Sequence, residues 1–316
     1  MWSDKLVFRR TYLGLDICPD GLRAVAVQRR SRQACLVGGQ TLTFSDGVLK
    51  PAARDLNILK PELYIENLRE VLLPLAKAEE RVAVSLPDAS GNTFLLDIDA
   101  ELKSRQQSID ILKWQIKDSM PEGYRDFSLD YQVLAQRESG EQRVLVSTVD
   151  NQVLHQYEEL MEAAGFNANL IDFHAFQLYN CYRSKTDLGD DFILVAASGK
   201  DLILLGFKGR VLDFFRVKNV NYDPENVFRE INRSLVAYRK DNPGQSRMKI
   251  YLHADWLELD VLQQAVQSAF AQDVHMLPQP LLQLKGDVQK LALTGTEMAS
   301  MAAALGAAER LLDKAI

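Results

Sequence analysis

The order of predicted elements occurs twice along this chain, and this doubling limits the folds that the sequence can adopt. Each half opens with three β-rich segments joined by short turns, at 12–17, 22–28 and 34–43 and again at 192–197, 201–207 and 210–217. After the third segment, helices and strands alternate in both halves, because apolar residues recur there at helical spacing. The halves share no strong sequence identity. The sequence therefore predicts an α/β protein of two similar lobes, related by internal duplication.

The block 88–150 interrupts the doubled pattern in the first half. It contains three predicted strands, at 93–98, 129–136 and 143–149. After the first of these, Ile109, Leu112 and Ile116 line one face of a predicted helix. Ser104 and Gln107 have the spacing of a capping box at the start of that helix. We expect the block to form a compact α+β subdomain inserted into the first lobe.

These patterns divide the chain into five parts. The first-lobe core comprises 1–87 and 151–185, on either side of the inserted subdomain 88–150. The second lobe comprises 186–295 and begins in a polar stretch that contains a glycine and no apolar period. Gly165 is expected to end a first-lobe helix as its C-terminal cap. The last part, 296–316, is expected to carry a single long helix that packs back towards the first lobe.

Composition excludes several classes of function. The net charge of −6 argues against a general nucleic-acid binder, which would present a basic field. The chain contains no apolar run of the length needed to cross a bilayer. Three widely spaced cysteines indicate reduced thiols in a cytoplasmic protein. The four histidines form no close-spaced ligand pair with one another or with a cysteine, so the sequence predicts no metal site.

Five segments, in order, resemble the PilM family, the actin-like proteins of type IV pilus assembly. They are Leu13–Ile17, Asp130–Leu134, Glu158–Tyr182, Glu230–Tyr238 and Met301–Ala308. The chain is also similar to the cytoplasmic domains of GspL in type II secretion and of MshI in MSHA-type pili. The resemblance implies an actin-like (ribonuclease H-like) two-lobed fold, in which the block 88–150 is the small insertion of the first lobe.

The resemblance also implies a function. It is that of a cytoplasmic scaffold, held at the inner membrane by the N-terminal tail of a PilN-like single-pass membrane protein. The assembly ATPase or the platform protein is a further candidate partner, and a homo-oligomer is left open. We expect the tail to bind between the first-lobe core and the insertion. The candidate wall residues are Phe94, Leu96, Lys113, Trp114 and Lys117. Trp114 interrupts the apolar face of its helix, so the sequence leaves two alternatives open: the side chain is exposed as a contact surface, or it is buried in the core of the small subdomain.

The phosphate turns of an actin-like ATPase are altered here. PilM-like sequences carry Asp-Ile-Gly, serines and then lysine in the first turn, where this chain has Cys18, Pro19 and Asp20. Pro19 has no N–H to offer a phosphate, and Asp20 would repel it. Where the family has Asp-x-Gly, the chain has 196–198 with serine last, and Ala254 and Asp255 replace a Gly-Gly pair.

These changes predict that the protein is not an enzyme and needs no cofactor. The alternative is an actin-like ATP-binding protein or ATPase with atypical loops, which would hold ATP and magnesium with Asp16, Gly21, Arg23, Ser198, Gly199 and Lys200. A filament-forming protein is a third hypothesis. No catalytic residue is predicted. His174 lies beside aromatic residues and is interpreted as a satisfied core or interface histidine and not as a base.

Overall fold

The computed structural model of this protein describes residues 10–30, 33–120, 126–137, 139–241, 248–286 and 288–314. The strands, in chain order, are β1 (Thr11–Cys18), β2 (Gly21–Arg30), β3 (Gln33–Thr43), β4 (Arg81–Leu86), β5 (Asn92–Ile98), β6 (Phe127–Gln136), β7 (Gln142–Asp150), β8 (Asn167–Phe173), β9 (Phe192–Ser198), β10 (Asp201–Lys208), β11 (Val211–Asn219), β12 (Lys249–Ala254) and β13 (Val274–Met276). The helices are α1 (Pro61–Ala76), α2 (Arg105–Ile116), α3 (Asn151–Ala164), α4 (His174–Thr186), α5 (Pro224–Asp241), α6 (Leu259–Phe270), α7 (Gly295–Ser300) and α8 (Ala302–Lys314).

Two five-stranded sheets share one strand order. They run β3-β2-β1-β4-β8 and β11-β10-β9-β12-β13. In each sheet, the three strands that come first in the chain pair antiparallel, and the remaining two pair parallel. The doubled pattern of the sequence is therefore confirmed at the level of topology. The parallel strands need crossover connections, and helices supply them in both lobes.

Alternation along the central strands places a helical layer on each face of both sheets. In β1, Leu13, Leu15 and Ile17 pack in the core that α1 and α3 cover. The residues between them face the opposite side, where α4 and α8 lie between the two sheets and form the core shared by both lobes. On the far side of the second sheet, α5 and α6 cover a third core.

The crossing of α4, α8 and β1 is unusually close, and two glycines permit it. A Cβ added at Gly14 would lie 1.9 Å from the carbonyl oxygen of Ala304. A Cβ added at Gly306 would likewise lie 1.9 Å from the carbonyl oxygen of Gln177. Real Cβ atoms do not approach backbone oxygen so closely, so α8 reaches this position only because both residues lack a side chain.

The insertion forms a third sheet, of order β5-β7-β6, with both pairings antiparallel. One face of this sheet packs under α2 in a small core around Leu112, Ile116 and Val146. The other face turns towards the core between the lobes, against which Leu95, Leu134 and Leu145 pack. Arg143 links the sheet to the second lobe, because its guanidinium donates to the backbone oxygen of Asp213 at 2.6 Å.

Two local predictions were wrong. The C-terminal segment is two helices and not one, because Met301, at φ −82° and ψ 2°, leaves the helical conformation between α7 and α8. Ser104 is the N-cap residue of α2 as expected, but no capping box forms, since its hydroxyl donates to Gln107 Oε1 instead of accepting a backbone N–H. A capping box does form between Thr294 and Glu297 at the start of α7, and these two residues have the same spacing as Ser104 and Gln107.

Other local predictions were confirmed. Gly165 ends α3 in the left-handed conformation, at φ 95°. Trp114 is 74% exposed, which decides between the two alternatives left open for it. Within the described part of the chain, no helix is both long enough and apolar enough to span a membrane.

Candidate functional site

Two matching turns face each other across a cleft between the lobes. One begins after Cys18, the last residue of β1, and contains Pro19 and Asp20, and the other follows β9 and contains Gly199 and Lys200. Because the lobes share one topology, these turns occupy equivalent places at the ends of equivalent strands. They enclose a cavity of about 180 Å³, which residues of both lobes line.

A buried carboxylate with three side-chain partners lies at the base of the cleft. Asp16 is fully buried on β1, and the hydroxyl of Ser85 on the neighbouring strand β4 donates to its Oδ1 at 2.6 Å. His174 Nδ1 lies 2.9 Å from the same oxygen, and the Cys18 thiol donates to Oδ2 at 3.0 Å. Burial by itself would raise the pKa of Asp16, but the charge and hydrogen bond of His174 hold it below its usual value.

His174 carries this network into the second lobe. Burial opposes its charged form, but Asp16 raises the pKa of His174 well above its usual value. Its other nitrogen, Nε2, lies 3.1 Å from the Oγ of Ser198 at the end of β9. The imidazolium therefore bridges the two lobes. The expectation of a satisfied interface histidine is confirmed, since both ring nitrogens have partners.

The carboxylate of Asp255, which follows β12, accepts hydrogen bonds from the turn that follows β9. The Ser198 hydroxyl donates to Asp255 Oδ2 at 3.2 Å, and the Gly199 N–H donates to both carboxylate oxygens, at 3.0 and 3.1 Å. Burial raises the pKa of Asp255, and the Gly199 N–H opposes that shift. The indole N–H of Trp256 also donates to the Gly199 carbonyl oxygen, at 2.8 Å, which fixes the turn from a second side.

The first turn is satisfied internally as well. Arg23 donates to both carboxylate oxygens of Asp20, at 3.0 and 3.2 Å. Two groups in this cleft could bind an anion, the Gly199 N–H and the Arg23 guanidinium. Both already donate hydrogen bonds to carboxylates of the chain itself, Asp255 and Asp20. A phosphate would have to displace Asp20 and Asp255 to reach them.

The six candidate nucleotide-binding residues have different places around this cleft. Arg23, Ser198, Gly199 and Lys200 line the cavity, and Asp16 lies buried beneath it. Gly21 has another role, because a Cβ at this position would lie 2.1 Å from the carbonyl oxygen of Leu42 on β3. Packing of β2 against β3 is therefore sufficient reason for glycine at this position.

Asp16, His174 and Ser198 have the connectivity of a serine-hydrolase triad, but their surroundings do not suit that chemistry. The Ser198 hydroxyl donates to Asp255, and the Gly199 N–H that would stabilise an oxyanion is bound to the same carboxylate. A negative charge developing beside Asp255 would be repelled. The arrangement therefore supports a structural link between the lobes and not a nucleophile.

A much larger groove lies between the insertion, the two helices at the centre of the molecule and the second lobe. Its volume is about 930 Å³. Leu134 and Leu145 of the insertion, Phe176 and Tyr179 of α4, and Phe207 and Leu212 of the second lobe provide its apolar surface. Charged side chains of both signs also line it, namely Arg183, Asp187, Arg210, Glu309, Arg310 and Asp313.

The five candidate partner-binding residues do not line this groove. Phe94 and Leu96 are half-buried and pack in the insertion core on the α2 side of its sheet. Lys113 and Trp114 are exposed on α2, on that same side, and Lys117 is exposed directly after the helix ends. Adjacent residues of a strand point to opposite faces of the sheet. Leu134 and Leu145 lie on the face opposite to Phe94 and Leu96, and that opposite face borders the groove.

Comparisons with known proteins identify the fold. No protein-family profile and no curated protein sequence matches this chain. Among solved structures, a chain of the "PilM-PilN type IV pilus biogenesis complex" superposes with a TM-score of 0.78 at 16% identity, over 95% of this chain and 98% of that one.

Two further structures agree with this assignment. A Bacteroides thetaiotaomicron protein with an actin-like ATPase fold gives a TM-score of 0.55 at 11% identity, covering 92% and 98% of the two chains. The cytoplasmic domain of EpsL, an inner-membrane component of the Vibrio cholerae type II secretion system, gives 0.53 at 10% identity, covering 93% and 94%. The chain has the two-lobed actin-like fold.

Proposed function

We propose that this protein is a cytoplasmic, PilM-like scaffold of a type IV pilus or type II secretion assembly, located at the inner membrane through its partners. It binds the N-terminal cytoplasmic tail of a PilN-like single-pass membrane protein and does not hydrolyse ATP. The observation that carries the proposal is the superposition on a chain of the PilM–PilN complex over nearly the full length of both chains, with a TM-score of 0.78.

The cleft supports a role without nucleotide turnover. Pockets that bury small-molecule ligands commonly have volumes of roughly 300–1,000 Å³, whereas this cleft encloses about 180 Å³. Its Gly199 N–H and its Arg23 guanidinium are held by Asp255 and Asp20. Binding ATP would require both pairs to separate and would place a polyphosphate beside the released carboxylates.

The large groove supports binding of an extended peptide. Its volume of about 930 Å³ is ample for several residues, and its apolar surface comes from three separate parts of the fold. Arg183 and Arg210 both lie near Asp187, at 3.6 and 3.5 Å, so the edge offers charges of either sign to polar tail residues. We propose that the tail of the membrane partner occupies this groove, in contact with Leu134, Leu145 and Tyr179.

ATP turnover is expected to be absent. With magnesium present, steady-state phosphate release should stay at the level of a buffer blank, because Ala196 and Ser198 supply no metal-holding acid in the second turn. A phosphate-release assay checks this. Turnover above background that disappears in Asp16→Asn or Lys200→Ala would support the alternative of an active ATPase.

Tail affinity is expected to depend on the groove and not on α2. Leu134→Ala combined with Leu145→Ala should weaken binding of a synthetic tail peptide at least about tenfold, since apolar contacts at the centre of an interface commonly carry most of its energy. Trp114→Ala removes a larger but exposed side chain on the other side of the insertion and should change affinity less than about twofold.

Fluorescence anisotropy with a labelled peptide, taken from the N-terminal cytoplasmic tail of a PilN-like membrane protein of the same organism, measures both variants. Far-UV circular dichroism controls for folding. A loss in Trp114→Ala with none in the leucine variant would place the tail on α2, as first predicted from the sequence. No binding of the peptide to the wild-type protein would refute the scaffold proposal itself.

A further inference from the structure

Three side chains with metal-binding atoms converge at the base of the cleft. One carboxylate oxygen of Asp16, the Cys18 sulfur and a ring nitrogen of His174 all lie within 4.8 Å of one another. Asp16 Oδ1 lies 2.9 Å from His174 Nδ1, and the other carboxylate oxygen, Oδ2, lies 3.0 Å from Cys18 Sγ. Ligand atoms around tetrahedral zinc, at bond lengths of about 2.0–2.3 Å, are about 3.3–3.8 Å apart, so small adjustments would accommodate an ion.

We propose that Asp16, Cys18 and His174 form a binding site for one divalent transition-metal ion, with Zn²⁺ the best match. A thiolate, an imidazole and a carboxylate together suit zinc, whereas Mg²⁺ and Ca²⁺ prefer oxygen ligands alone. Three protein ligands leave a fourth position for water, and the cavity bordered by Cys18 and His174 is where that water has room.

The elements that carry the ligands hold them in place. Asp16 and Cys18 are two residues apart on β1 and so point to the same face of the sheet. His174 is the first residue of α4, directly after β8, which belongs to the same sheet. The site therefore lies on regular secondary structure of a single lobe, which keeps the three ligand atoms together before any ion arrives.

The hydrogen-bond partners of Asp16 and His174 also suit a metal site. The Ser85 hydroxyl orients the Asp16 carboxylate at 2.6 Å. His174 would bind the ion through Nδ1, leaving Nε2–H to donate to Ser198 Oγ, whose own proton goes to Asp255. Metal-binding histidines usually have such an oriented partner on the second nitrogen.

Charge and proton balance are consistent with this ion. On binding, the ion would displace the proton between Asp16 and His174 and the proton of the Cys18 thiol, and both protons would pass to water. Zn²⁺ with one carboxylate, one thiolate and a neutral imidazole has no net charge, which favours a buried site. Since Ser198 and Asp255 belong to the second lobe, a bound ion would also strengthen the connection between the lobes. None of this depends on the proposed membrane partner.

Metal titration of the chelator-treated protein tests the site. Calorimetry with zinc chloride should show one equivalent bound, and Co²⁺ should produce a thiolate-to-metal charge-transfer band in the near ultraviolet. Cys18→Ala should abolish this band and weaken zinc binding by roughly tenfold or more, and Ser198→Ala should weaken it by about tenfold through loss of the outer partner. Cys181→Ala is the matched control, because it removes a buried cysteine of α4 outside the cluster and should leave both signals unchanged.

Two results would overturn the inference. The wild-type protein could bind no zinc and give no cobalt band, in which case the cluster is a hydrogen-bonded network only. Alternatively, Cys18→Ala could bind zinc as tightly as Cys181→Ala, in which case the ion lies elsewhere. Circular dichroism and the thermal midpoint of the metal-free variants show whether a lost signal reflects a lost ligand or a lost fold.

Discussion

Replacing Gly306 by alanine is expected to destabilise the protein by about 1–3 kcal/mol, the range for forced overpacking in a core. The added Cβ would lie 1.9 Å from the carbonyl oxygen of Gln177 and 2.9 Å from the backbone nitrogen of Cys181. Backbone atoms of α4 cannot rotate away as a side-chain tip can, so α8 must shift and disturb the core that the lobes share. Urea denaturation of the purified variant measures the change in the free energy of unfolding.

The expected loss of stability in Gly306→Ala is opposite in sign to the usual effect of this exchange in a helix. Glycine-to-alanine exchange inside an open helix stabilises it by roughly 1 kcal/mol. Gly295→Ala, in α7, is the matched control, because the nearest atom to its added Cβ is 4.0 Å away. This variant should unfold within about 0.5 kcal/mol of wild type or be slightly more stable. Equal or greater stability in Gly306→Ala would show that α4 and α8 are not packed as described.

Replacing His174 by alanine is expected to cost about 3–5 kcal/mol, the range for breaking a buried charge pair by removing one partner. Asp16 is fully buried, and His174 at 2.9 Å is its charged partner. Without the imidazolium, the carboxylate must bind a proton or draw water into the core, and the contact with Ser198 is lost as well. Chemical denaturation in the presence of a metal chelator isolates this effect from any bound ion.

Two control variants accompany His174→Ala. His155→Ala removes an exposed histidine from α3 and should change stability by less than about 0.5 kcal/mol. Adding Asp16→Asn to His174→Ala should recover on the order of 1–2 kcal/mol, because the uncompensated charge is then absent. If His174→Ala cost no more than His155→Ala, the bridge between the lobes would contribute nothing to stability.

Strand and helix periodicity were sufficient to predict most elements of both lobes and of the insertion. The turns after β1 and β9, which the resemblance marks as the places of phosphate turns, face each other across the cleft, because they follow equivalent strands of two similar lobes. Local sequence patterns did not predict the elements whose bounds depend on tertiary contacts. The break at Met301 has no proline or glycine to mark it, and β13 is a strand of three residues.

The chemistry of the cleft could not be predicted in the same way. His174 and Asp16 are 158 residues apart, and Ser198 and Asp255 are 57 residues apart, so no local spacing reveals that they are in contact. For the same reason, the spacing of histidines and cysteines along the chain does not reveal that Asp16, Cys18 and His174 converge. A groove beside the insertion was expected, but the residues named for its wall lie on the α2 side of the insertion sheet, whereas Leu134 and Leu145 of the opposite face border the groove.

Photo-crosslinking of the tail peptide tests the scaffold account most directly. A benzophenone-type residue is introduced in place of Leu134 in one sample and of Trp114 in another. The protein is then irradiated with the tail peptide of a PilN-like membrane protein of the same organism. We predict efficient crosslinking from position 134, which borders the large groove, and only background from position 114 on α2. Crosslinking from position 114 alone would contradict the groove assignment, and no crosslink from either position, with no binding in solution, would contradict the scaffold function.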